Sequence, residues 1–183
     1  MRLAFCNSTR RWGGVKTWTI EFAAALQARG HEILLFGRDP IFLDRAQDKG
    51  IRAIAVNFGP DFNPRTIAFF FRFFRKTGTE AVLINVSKEL RSAGVAARLL
   101  GLPLVQRVGL PEDLENSLLP RLLHHLLRPH YLAPCRYVRD GIHKKMPFLR
   151  PEESSFIYSA KDPLGGGGRG GGGGRGGRGG GGG

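Results

Sequence analysis

RRWGGVKTWTIEFAAALQARGHEILLFGR, residues 10–38, holds a loop, a helix and a strand in succession. Gly13 and Gly14 break the chain. Residues 16–29 then place Trp18, Phe22, Ala25 and Leu26 at helical spacing, and Gly30 supplies the stop. Glu32–Phe36 (EILLF) is too short and too apolar for anything but a buried strand. Upstream, Leu3–Cys6 is another short apolar run, separated from Trp12-Gly13-Gly14 by the polar loop 7–11. Strand, loop, helix and strand make one β-α-β unit. Strands apolar on both faces belong to a parallel sheet covered on both sides.

The same alternation continues outward. Asp39–Lys49 reads as a short helix ended by Gly50, and Ile51–Val56 as a third strand. Asn63-Pro64 opens a helix that runs to about Lys76 and is closed by Gly78. Ala81–Asn85 is a fourth strand, Ser87–Leu100 a helix before Gly101, and Pro103–Arg107 a fifth strand. Glu112–Leu127 reads as helical with an interruption at Pro120. Tyr131–Ala133, Arg136–Met146 and Ser155–Tyr158 read as strand, helix and strand. Residues 1–163 are thus expected to form one α/β domain, a doubly wound, mostly parallel, Rossmann-like sheet. Residues 164–183 are expected to be a disordered tail, because from 165 onward the chain is Gly and Arg only and offers no side chain for a core.

The chain has 183 residues, 42% of them hydrophobic, enough for one domain with a proper core. Its net charge is +13, of which Arg169, Arg175 and Arg178 of the tail supply three. Such a surface attracts nucleic acid, acidic lipid or phosphorylated substrates. The two cysteines, Cys6 and Cys135, form no CxxC or Cys/His pattern, which points to no metal and suits a reducing compartment. No apolar run reaches the length of a bilayer span and the N-terminus lacks a signal-peptide core, so a cytoplasmic location is expected.

In an open α/β sheet, ligands bind beyond the carboxyl ends of the strands. Gly13 and Gly14 lie there, just ahead of a helix. They let the backbone approach a ligand, and the helix N-terminal amides can hold an anion. The loop is neither GxGxxG nor GxxxxGK[ST], so both nucleotide fingerprints are missing. Lys16 is either a phosphate partner or a solvated first-turn lysine. After the fourth strand, Asn85 and Ser87 can hydrogen-bond an acceptor, with a helix cap as the plainer role for Ser87. After the fifth, Arg107 can bind a phosphate or carboxylate, followed by Val108-Gly109. His31, His124, His125, His130 and His143 suggest no chelate or catalytic triad. Residues 66–76, TIAFFFRFFRK, mix aromatic and basic side chains. Phe69, Arg72, Arg75 and Lys76 can face an anionic membrane surface, giving peripheral attachment. The plainer alternative is a core helix with Phe70, Phe73 and Phe74 buried.

Residues 10–38 resemble the opening of glycosyltransferase family 4 proteins: Gly13-Gly14-Val15, an amphipathic helix, then Arg29-Gly30-His31-Glu32 leading into the second strand. More loosely, CRYVRDGIHKKMPF (135–148) is similar to the family's short-strand-to-helix segment. SSFIYSAKDP (154–163) is similar to the strand before the crossover into its second domain. The resemblance implies the N-terminal, acceptor-side half of a GT-B enzyme whose C-terminal half binds a nucleotide-sugar. That nucleotide-sugar is a substrate rather than a cofactor. Family members retain anomeric configuration and need no essential metal. On this resemblance Gly13 and Gly14 contact the donor phosphates from across the cleft. The acceptor is a surface polysaccharide or lipid-linked glycan. The family's His-Gly pair near the fifth strand is replaced here by Val108-Gly109, which removes the histidine's role.

The Gly/Arg tail stands where the donor domain is expected. It reads as the product of truncation or frameshift rather than an RGG-like RNA-binding segment, since no aromatic residue lies between its arginines. The chain alone is expected to lack transferase activity. The alternatives are a basic nucleic-acid-binding protein with an RGG-like tail and a small phospho-ligand module.

Overall fold

The computed structural model of the protein describes residues 1–10 and 12–158. The Gly/Arg tail, with its expected disorder, lies outside the described residues. The elements follow as β1 (Arg2–Asn7), α1 (Gly14–Gln27), β2 (Glu32–Gly37), α2 (Pro40–Asp48), β3 (Arg52–Ala55), α3 (Pro64–Thr77) and β4 (Ala81–Ile84). Then come α4 (Ser87–Glu89), a π-helical turn (Leu90–Gly94), α5 (Val95–Leu99), β5 (Leu104–Arg107), α6 (Leu118–Leu127), β6 (His130–Ala133), α7 (Arg136–Lys145) and β7 (Ser154–Phe156). The strands form one sheet in the order β3-β2-β1-β4-β5-β6-β7, and every neighbouring pair is parallel. This is the doubly wound Rossmann-like sheet expected from the alternation of apolar runs and helices.

Strand order places the helices. From β1 the chain steps one way to β2 and β3, and from β4 the other way to β7. Right-handed crossovers therefore put α1 and α2 on one face and α3, α5 and α6 on the other. On the first face Phe5, Ile33 and Leu35 pack with Ile20, Ala23 and Phe42. On the second, Phe36 and Ile84 pack with Phe70, Phe74, Ala96, Ala97, Leu123 and Leu127. Phe36 meets Phe70 and Phe73 edge-on, at 5.4 and 5.1 Å between ring centroids. Next to α1, the first face carries an open apolar cleft of about 260 Å3, lined by Phe22, Leu26, Leu83, Val105, Leu132 and Ile157.

Local chemistry explains the element ends. Asn63 Oδ1 accepts the Arg65 N–H at 3.0 Å and so caps α3. Gly78 closes it in the left-handed conformation, at φ 64°. Phe70 and Phe74 are buried as the core-helix alternative requires, but Phe73 is only half-buried. Two helices differ from expectation. The stretch 112–127 is not one interrupted helix. A short 3-10 turn covers Pro111–Asp113, and α6 begins at Leu118 with Pro120 in its first turn. Proline has no N–H to give an earlier carbonyl, so the first turn is where a helix tolerates it. The stretch 87–100 is broken by the π-helical turn at Leu90–Gly94. Among the described residues no helix is long and apolar enough to cross a membrane.

Because Phe70 is buried in the ring cluster and Phe69 is 38% exposed, their truncations should separate. Phe70→Ala should lower the unfolding free energy by about 3–5 kcal/mol, and Phe69→Ala by less than about 1 kcal/mol. Urea titrations with unchanged m values would check this; equal losses would place both rings in the core.

Candidate functional site

The sheet reverses its winding between β1 and β4, and the two loops leaving their carboxyl ends flank a crevice. Glu89, fully buried in α4, ties these loops together. Its Oε1 accepts the Ser8 N–H at 2.5 Å. Its Oε2 accepts the N–H groups of Asn85 and Val86 at 2.6 and 3.0 Å. Burial pushes the carboxyl up to about 7, against the pull of the amide donors. Asn7 shapes the β1 loop from within, its Oδ1 accepting both the N–H and the hydroxyl of Thr9, at 3.1 and 2.6 Å. Asn85 Nδ2 donates to the Cys6 carbonyl at 2.9 Å, and its Oδ1 accepts the Thr19 hydroxyl of α1 at 3.3 Å.

Gly13 and Gly14 stand at the start of α1. Gly13 is fully extended, and no side chain caps the helix. A Cβ at either glycine would meet nothing within 4 Å. Neither backbone strain nor packing asks for glycine there, so what the missing side chains leave is open space above the first amides. That space is a cleft of about 470 Å3 lined by Thr9, Arg10, Gly13, Gly14, Val15, Lys16 and Arg38. Lys16 is not solvated. It is 1% exposed, and its Nζ donates to Asp39 Oδ2 at 2.5 Å. The alternative of a solvated first-turn lysine is therefore corrected: the short aliphatic path from α1 to the start of α2 buries the ammonium beside a carboxylate. Arg38 is different. Its Nε is buried without a hydrogen-bond partner among the described residues. Burial, and then the nearby charge of Arg10, hold its pKa below the ordinary value. Two guanidiniums converging on uncapped helix amides form a place for an anion.

The other candidates divide between the two faces of the sheet. Arg107 leaves β5 on the α1 side, its guanidinium 4.5 Å from the Trp18 ring centroid. Its Nε has no partner among the described residues, and burial lowers its pKa with Asp113 opposing. A Cβ on Gly109 would come within 3.2 Å of Asp113 Oδ2 and 3.4 Å of Arg107 Nη1, so a side chain there would push the ends of these two groups by a few tenths of an ångström. Ser87 lies on the opposite side, in a cavity of about 250 Å3 with Arg91, Gln106, Asp113, Glu115 and Tyr131. It does not cap its helix, because Val86 occupies the cap position and Ser87 is already the first helical residue. Gln106 is 4% exposed and its Oε1 has no partner among the described residues. The structure thus gathers Gly13, Gly14, Lys16, Asn85 and Arg107 around the N-terminal half of α1. It separates Ser87, and leaves Phe69, Arg72, Arg75 and Lys76 on α3.

The sequence reading missed Glu89, Arg10, Arg38 and Asp39. Arg38 and Asp39 follow the second strand directly, and that position alone was a usable signal. Glu89 had a weaker one, a carboxylate three residues after Val86 at a helix start. Three of the histidines find ordinary partners: His143 Nε2 lies 2.7 Å from Ser154 Oγ, His130 Nε2 lies 2.8 Å from Ser155 Oγ, and His124 stacks on Tyr131.

No family model and no curated protein matches the chain. Solved structures do match its fold. A glycosyltransferase from Rickettsia africae superposes with a TM-score of 0.73 at 14% identity, over 86% of this chain and 42% of that one. HepE of Anabaena in complex with UDP-glucose superposes with a TM-score of 0.70 at 18% identity, over 88% of this chain and 44% of that one. The lipopolysaccharide outer core galactosyltransferase WaaB gives 0.60 at 15% identity, over 86% and 45%. The fold is that of the Rossmann-like half of GT-B proteins, and the chain spans less than half the length of these structures.

Glu89 makes stability depend on pH. Its carboxyl is raised from the ordinary 4.5 to about 7, so between these values the folded protein holds a proton that the unfolded chain releases. The contribution is full below the unfolded value and is lost as pH rises through the folded one. The difference in unfolding free energy between wild type and Glu89→Gln should therefore shrink steadily between about pH 5 and about pH 7.5. Parallel pH profiles for the two proteins would assign the slope to another group.

Proposed function

We propose that the domain is the acceptor-side half of a nucleotide-sugar-dependent glycosyltransferase, and that the Gly13-Gly14 loop receives the donor's phosphates. The carrying observation is the open, uncapped start of α1, faced by Arg10 and by the unpartnered Arg38 Nε. A pyrophosphate has the charge and size to satisfy both groups and the free amides. The bound UDP-glucose of HepE, whose fold this domain shares, supports the choice of ligand. Lys16 adds a cation in the first turn of α1, its charge shared with Asp39.

On this reading Asn85, Ser87, Arg107 and Gly109 serve the acceptor. Asn85 and Gly109 hold the crevice in shape. Arg107 presents a guanidinium beside α1, and Ser87 opens into the cavity with Gln106. The acceptor belongs to a surface polysaccharide or a lipid-linked glycan, met at the cytoplasmic side of a membrane that α3 touches through Phe69, Arg72, Arg75 and Lys76. Family 4 remains the preferred assignment, on residues 10–38. On this reading transfer needs a donor-binding half as well, and this domain by itself binds without turning over.

Calorimetry with UDP-glucose should show weak, saturable binding that uridine does not reproduce. Arg10→Ala combined with Arg38→Ala, or Gly14→Val alone, should weaken it at least about ten-fold, the loss of one or two charge-assisted contacts. Binding unchanged in both variants would move the phosphates elsewhere. Equal binding of unrelated phosphorylated compounds would favour a general phospho-ligand module. Sugar transfer by the isolated chain would contradict its dependence on a donor half.

A further inference from the structure

Three helices on the second face of the sheet differ in charge from the other long helices. α3, α5 and α6 contain no acidic residue. In contrast, α1 carries Glu21, α2 carries Asp44 and Asp48, and α7 carries Asp140. The acid-free helices carry Arg65, Arg72, Arg75, Lys76, Arg98 and Arg121, and among the described residues none of these six is in an ion pair. All three helices bury their inner sides in one core cluster, so their outer sides share one surface of the molecule.

That surface is also apolar. Leu118, Leu122 and Leu126 repeat every four residues along α6 and are 84%, 54% and 55% exposed. Leu99 at the end of α5 is 66% exposed, and the Arg98 Nε donates to the Leu126 carbonyl at 2.9 Å, joining the two helix ends. Phe69 continues the apolar set on α3, where Arg65, Ala68, Phe69, Arg72, Phe73 and Lys76 line an open groove of about 630 Å3. Leucines repeating along one exposed helix face, beside unpaired cations on helices that carry no carboxylate of their own, match a layer of negative headgroups over hydrocarbon. A nucleic acid would use the cations and leave the leucines in water.

We propose that the outer surface of α3, α5 and α6 docks on an anionic bilayer, with the leucines of α6 entering the headgroup boundary and the cations of α3 lying among the phosphates. This rests on the reading of the domain as serving a membrane-borne acceptor and extends it from α3 to the whole layer. It also sets an orientation. The layer runs parallel to the sheet, so the sheet lies flat over the membrane and the crevice at its carboxyl edge opens sideways along the surface. The cavity holding Ser87 and Gln106, walled by Pro120 and Leu123 of α6, is then on the membrane side of the sheet.

Flotation of the full chain with vesicles tests this, since all the substituted side chains are exposed and the tail is the same in every variant. Vesicles of phosphatidylglycerol and phosphatidylcholine should carry the protein, and vesicles of phosphatidylcholine alone should not. Replacing Leu118, Leu122 and Leu126 with Ser should lower partitioning at least about ten-fold. Arg72→Glu with Lys76→Glu should do the same and flatten the salt dependence of what remains. Equal unfolding midpoints, and unchanged UDP-glucose binding, would keep these losses apart from misfolding and from any failure of the nucleotide-sugar reading. Wild-type partitioning by the leucine variant would overturn the proposal, because charge alone, including the tail's, would then account for binding. Displacement of the wild-type protein by a stoichiometric oligoribonucleotide would overturn it in favour of nucleic acid.

Discussion

The carboxylate of Glu89 accepts three backbone N–H groups from two loops that are far apart in sequence and adjacent in space. The crevice depends on it. Parallel strands end in loops that have no partner of their own, and the β1 and β4 loops would otherwise be free to splay. Asn85 adds two further bonds, to the Cys6 carbonyl and to Thr19 of α1, so the helix whose first amides face the cleft is attached to the same knot. A buried carboxylate is costly in a medium of low dielectric, and the amide donors offset part of that cost. The crevice is held by polar bonds that must all be made together, while the layers around it are held by contacts that tolerate small adjustments.

The cations near the crevice fall into two kinds. Lys16 is buried against Asp39 and is thereby spent on structure: it holds α1 to the start of α2. Arg38 and Arg107 keep unpartnered, buried Nε groups, and burial lowers the pKa of each. An incoming anion would give such an Nε the hydrogen-bond partner it lacks. The same distinction runs over the whole molecule. Acidic residues pair with basic ones around α2, α7 and the loops, whereas among the described residues the lysines and arginines of α3, α5 and α6 are in no ion pair.

Much of the fold was legible in the sequence because its signals are local. Short apolar runs mark buried strands, helical spacing marks amphipathic helices, and Gly30, Gly50, Gly78 and Gly101 all take positive φ where a helix ends. Pro120 was read as a break because its place in the helix depends on where the helix begins, and Ser117 gives no side-chain cap to mark that start. The site was legible only in outline. Gly13 and Gly14 announce themselves by composition. Glu89 does not, since its partners are backbone amides, one of them 81 residues away. The two readings of Lys16, phosphate partner or solvated lysine, stay level in the sequence for the same reason: its partner sits across a strand, at Asp39. The exposed leucines of α6 look like any amphipathic helix in sequence, and only the fold tells which side faces the core.

The span between Ser8 and Glu89 also imposes an order in time. A parallel sheet has no hairpin to pair neighbouring strands early, and each strand waits for its crossover helix. The loop after β1 is made first on the ribosome, yet its anchor arrives only when β4 has crossed beside β1 and the next helix has begun. The amino-terminal end of α1 therefore spends the early life of the chain unpinned, until a residue from beyond the fourth strand sets it in place.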